Sequence, residues 1–162
     1  MKTAHRKARR QQTYSLMHVM LASPEKPMPE YKIRHQLTAM YAGLNAMEQG
    51  QQPTTHDWRV CSDAVNLMET LIVQGTVIDA DGLLMDAITA MAKAGKRHVA
   101  GGQIRLDGPG ITAMRSILAD YATVIETLSE RVMVQCHRDT EKRLQQIMRG
   151  QRQPHDVEIV SV

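Results

Sequence analysis

The sequence predicts an all-α fold, a four- to five-helix antiparallel bundle, on three observations. Apolar residues recur at alternating spacings of three and four through most of residues 13–150, the repeat of one face of an α-helix. Proline and glycine fall largely between those runs, at Pro24, Pro27, Pro29, Gly50, Pro53, Gly75 and Gly95. The apolar residues include twelve Met, with one Trp, four Tyr and no Phe, thin flexible side chains that suit both helices and irregular gaps.

Taken in order, Tyr14, Leu16, Met17, Met20 and Leu21 form a short helical pattern with Thr13 as its cap. Pro24, Pro27 and Pro29 end it, since proline lacks an amide donor and biases the preceding residue away from the helix. Ile33, Leu37, Met40, Leu44 and Met47 make the next stripe, closed by Gly50. Thr54 and Asp57 have capping-box spacing ahead of Trp58, Cys61, Val65, Met68 and Ile72, and Gly75 ends that helix. A fourth helix starts at Asp79 or Asp81, whose carboxylates suit the positive end of the helix dipole, and closes at Gly95. Residues 96–108 lack helical character and read as a small loop or a β-hairpin turning at Gly101-Gly102.

The longest periodic segment, Ile111 to Arg149, reads as one long C-terminal helix. Met114, Leu118, Tyr121, Ile125, Leu128 and Val132 recur at four, three, four, three and four, close to the repeat of a helix–helix seam. Unbroken, it would span about 58 Å, more than the roughly 30–40 Å of a domain of this size. The other helices are expected to pack around it, and its protruding half to pair with a second copy in a homodimer. At Cys136–Glu141 the seam turns polar, which implies a kink, an exit into solvent or a different neighbour.

Residues 1–12 read as a disordered basic tail, 13–150 as one helical domain and 151–162 as a flexible tail. Lys2, Arg6, Lys7, Arg9 and Arg10 give the first ten residues a charge of +5, and the remainder carries fifteen basic against seventeen acidic side chains. Such a tail suits phosphate. Residues 131–152 add Arg131, Arg138, Lys142, Arg143, Arg149 and Arg152 against Asp139 and Glu141. No apolar stretch follows the basic start as in a signal peptide, and no run reaches the length of a membrane span. The chain reads as soluble and cytoplasmic, without membrane contact, with Cys61 and Cys136 reduced.

Motifs for chemistry are few. In DADG (Asp79–Gly82), placing Gly82 at the sixth position of a calcium loop puts Val77 and Ile88 at positions one and twelve, neither a carboxylate. Cys136 and His137 are adjacent and His56 lies five before Cys61, neither a zinc spacing. The glycine-rich segments lack the strand and helix that a nucleotide loop requires. The sequence therefore predicts no catalytic, cofactor-binding or metal-ligating residue and a non-enzymatic protein.

The stretch DWRVCSDAVNLMETL, Asp57–Leu71, with the preceding LTAMYAGLNAMEQGQQPTT, resembles small uncharacterised proteins of proteobacterial phages and mobile elements. The resemblance covers residues 30–75 and carries no motif of known chemical role. It implies a modulator of a host or element-encoded macromolecule.

The expected function is thus that of a helical protein-interaction module. The alternative is a nucleic-acid-binding accessory protein that uses the N-terminal arm and the basic end of the long helix. Arg131, Arg138, Lys142 and Arg143 are the partner-contact residues expected near the polar break. Charge reversal of Arg138 and Arg143 is expected to weaken partner binding while leaving stability almost untouched, as exposed charges do.

Overall fold

The computed structural model describes residues 13–150. The basic tail and the C-terminal segment, with the expectations placed on them, lie outside the described residues. Six helices run in order: α1 (Leu16–Leu21), α2 (Glu30–Gln49), α3 (Thr55–Val73), α4 (Leu84–Val99), α5 (Gly108–Thr127) and α6 (Glu130–Met148). No strand occurs among the described residues. None of these helices is long and apolar enough to cross a membrane.

Local signals fix the early boundaries. Ser15, and not Thr13, caps α1, in a reciprocal pair with His18. Proline at position 29 precedes α2, where its missing amide costs nothing. Gly50 ends α2 in the left-handed region at φ 64°, which glycine adopts without strain. Thr54 and Asp57 form the expected capping box: the Thr54 amide donates to Asp57 at 2.7 Å and the Asp57 amide to the Thr54 hydroxyl at 3.3 Å. Asp79, rather than Asp81, accepts from the first free amides of α4, those of Leu83 and Leu84, at 3.2 and 3.1 Å.

The centre of the molecule is α3, which packs against α2, α4, α5 and α6. Along it Cys61, Ala64 and Leu71 are wholly buried. Gly43 lets α2 approach closely, because a Cβ there would lie 2.8 Å from the carbonyl oxygen of Asp57. Trp58 is buried with its indole N–H donating to the Met91 carbonyl at 2.8 Å, which fastens α3 to α4. Tyr121 is fully buried, its hydroxyl accepting from Gln36 at 2.7 Å.

The single long helix does not form. Residues Leu128 and Ser129 separate α5 from α6, and Ser129 caps the new helix by accepting from the Val132 amide. The physical reason lies across the interface. A break frees the amides of Glu130 and Arg131, and the proline-rich loop after α1 supplies them with the carbonyls of Lys26 and Ser23 at 2.7 and 3.0 Å. The phase then changes. Met114, Leu118, Tyr121 and Ile125 are buried, Leu128 is half-buried, and Val132 stands 38% exposed while Met133, Val134 and Cys136 turn inward. Helix α6 runs unbroken through 136–141.

One further boundary differs from expectation, and one open alternative resolves. Gly95 does not end α4; it is buried inside a helix that runs on to Val99. Residues 100–107 form a loop and not a hairpin. Its backbone still alternates, with Ile104 and Leu106 buried on either side of exposed Arg105.

Candidate functional site

The structure commits most of the expected partner-contact residues to the chain itself. Arg131 donates through Nε and Nη2 to the Ala22 carbonyl at 3.2 and 3.1 Å, and through Nη2 to Met20 at 3.3 Å. Arg138 donates to the Tyr14 carbonyl at 3.0 Å. Arg143 pairs with Glu69 and donates to the Asn66 carbonyl at 3.0 Å. The Arg143 and Glu69 side chains are only 11% and 19% exposed. Arg131 and Lys142 are exposed to solvent, and Arg138 and Arg143 are half-buried. Expected polar positions on the break are likewise interior: Thr140 is buried and shares a 2.7 Å hydrogen bond with Thr70.

Two of those arginines, with Glu141, converge on one object, α1. Thr13 donates its amide and hydroxyl to Glu141, Arg138 holds Tyr14, and Arg131 holds the carbonyls at Met20 and Ala22. The pairings run in reverse order, so α1 lies antiparallel to α6. Tyr14 and Val19 pack inward, the Tyr14 ring meeting the His137 ring edge-on at 5.2 Å. Burial holds His137 well below its usual range, at about 4, so its ring is neutral beneath α1.

The outward side of α1 is apolar. Leu16, Met17, Met20 and Leu21 are 61%, 68%, 70% and 78% exposed, and positions i, i+1, i+4 and i+5 share one helical face. A six-residue helix does not persist alone in water. Here three α6 side chains fix it with four large aliphatic groups facing solvent. The sequence pattern marks the helix but not its orientation, because a short apolar stripe looks the same whether it faces core or solvent.

Both cysteines are free and buried. Each thiol donates to a backbone carbonyl, Cys61 to Met40 at 3.4 Å and Cys136 to Leu67 at 3.5 Å. Burial pushes both up to about 12, so they are thiols and not nucleophilic thiolates at neutral pH. Among the described residues no three His, Cys, Asp or Glu side chains gather where they could hold a metal ion.

Comparison with family models, with curated proteins and with solved structures finds no match for this chain. The resemblance over residues 30–75 gains no support from them.

Proposed function

We propose that this chain is a non-enzymatic helical module that works by binding protein, with α1 as its contact element. The observation that carries the reading is the exposure of Leu16, Met17, Met20 and Leu21 on a helix held in place by Arg131, Arg138 and Glu141. Scattered surface aliphatics need no explanation, but a contiguous set on one short, clamped helix marks a contact surface.

A second copy is the partner that suits this face. An apolar helix face paired across a two-fold axis is self-complementary, and closed dimers are the commonest assembly. Eight such side chains, at about 1.5–3 kcal/mol each when covered, are comparable to or larger than the roughly 4–15 kcal/mol that association costs. Sedimentation of the full chain should then give twice the 18.2 kDa protomer mass. Leu16→Asp with Met20→Asp should sediment as a folded monomer. A monomeric wild-type chain, or a variant that still dimerises, would overturn the reading.

A further inference from the structure

We propose that the surface formed by the end of α4 and the loop after it binds the phosphate backbone of duplex nucleic acid, independently of α1. Charge is segregated in this fold. The described residues hold fourteen basic and fifteen acidic side chains, yet residues 93–106 contain Lys93, Lys96, Arg97 and Arg105 and no acid, leaving ten basic against fifteen acidic elsewhere. Acids gather at another place: burial, with Asp81 and Asp79 nearby, raises the Asp120 carboxyl.

The cations are positioned by the fold and not merely exposed. Lys93 and Arg97 are four apart on α4 and so share a face. Arg97 reaches across the loop, its Nη1 donating to the Arg105 carbonyl at 2.8 Å, and its stem lies where a Cβ on Gly102 would fall 2.8 Å from Cγ. Arg105 is pinned outward between buried Ile104 and Leu106. Its guanidinium rests against Gly50, where a Cβ would come within 2.7 Å of Nε and 2.8 Å of Cζ. No hydrogen bond or ion pair among the described residues uses that guanidinium.

The acids next to this surface in the chain are already engaged. Glu48 takes a two-pronged bond from Arg115 at 2.7 and 2.8 Å, and Asp107 accepts from the Gly110 amide at 2.8 Å. Cations in the last turn of α4 would in any case suit the negative end of its dipole. Arg105 lies outside the helix, so the dipole does not account for it.

Two forked guanidinium groups, one anchored on the Arg105 carbonyl and the other resting on Gly50, match phosphate oxygens, and their preorganisation lowers the entropy lost on contact. Residues 93–106 include no Tyr, Trp or Phe on which unpaired bases could stack, which favours the backbone of a duplex. One exposed aliphatic side chain, Val99 at 68%, is too little to anchor in a lipid interface, which needs an apolar face.

The test is fluorescence anisotropy of the full chain with a labelled duplex of about 20 base pairs, at roughly 50 and 200 mM salt. Wild type should bind with a steep salt dependence. Arg97→Glu with Arg105→Glu should weaken binding at least about tenfold and flatten the salt slope by about two, one per lost phosphate contact. Arg34→Glu with Arg59→Glu changes net charge equally at exposed sites on α2 and α3, outside residues 93–106, and should stay within about threefold. Arg105→Gln, which keeps a long polar side chain over Gly50, should show a smaller loss and serves if the double variant misfolds. Equal loss in both double variants, unchanged binding in both Arg105 variants, or wild-type binding to phosphatidylglycerol vesicles but not to duplex would each overturn the proposal.

Discussion

The body made by α2, α3, α4 and α5 and the pair made by α1 and α6 are held by different physics. In the body, Met47, Leu71, Met114, Leu118, Tyr121 and Ile125 are at or near zero exposure, and closure comes from apolar burial. Where α6 meets α3 and α1, Met133 and Cys136 are buried too, but the specific contacts are Thr70 with Thr140, Arg143 with Glu69, Arg131 with Ala22 and Glu141 with Thr13. Burial responds little to pH or salt, whereas partly buried charged pairs respond to both. The two regions should therefore fail under different conditions.

The largest expected effect lies in the body. Leu118→Ala removes a fully buried side chain and should cost about 3 kcal/mol, transfer loss plus residual cavity, read as a lowered urea midpoint. A loss below about 1 kcal/mol would mean that the Met-rich surroundings collapse into the space.

Next comes the polar pair. Arg143→Ala leaves Glu69 without its cation and takes one donor from the Asn66 carbonyl, which keeps the Thr70 hydroxyl. It should cost about 2 kcal/mol, less than a fully buried pair because both side chains keep some exposure. This reverses the expectation for charge reversal at Arg138 and Arg143, which the sequence alone places on a solvated helix end. The double variant should melt well below wild type, and an unchanged melting curve would restore the original expectation.

Of similar size, but spread over a pH range, is acid sensitivity at His137. Its folded pKa, about 4, lies below the unfolded 6.5, so the unfolded chain binds the extra proton between those values and stability rises with pH across that window. Lowering the pH from 7 to 4 should thus remove on the order of 2 kcal/mol, since each tenfold difference in proton affinity is worth about 1.4 kcal/mol and the ring is not wholly dry. His137→Gln should flatten that part of the stability profile. Exchange of the α1 amides, held by the helix on which His137 lies, should accelerate first.

What can be read in advance follows from how local each signal is. Gly50 and the Thr54–Asp57 box set their helix ends by side-chain and backbone chemistry within four residues, and the structure keeps both. Ser129 also carries a local signal, a cap residue followed by Glu130, but the repeat from Met114 to Val132 runs through it. The break depends on carbonyls at Ser23 and Lys26, more than a hundred positions away, which periodicity cannot see. Gly95 misleads for a related reason: it is buried inside α4, and only the tertiary surroundings distinguish that from a helix stop. Of the α1 face, the residues are legible in the sequence and their outward direction is not. At Ile104-Arg105-Leu106 the in–out–in alternation is visible, but it fits a hairpin as well as the loop that forms.

Trp58 turns the contrast between the two regions into an optical experiment. As the one indole in the chain, buried and bonded to the Met91 carbonyl, it reports on α3 and α4 and has no contact with α1 in the hydrogen-bond network. Its emission should stay blue while α1 loosens, and shift to the red only when the body opens. A chain with a single indole, buried where α3 meets α4, therefore carries its own clock for the order in which its parts come apart.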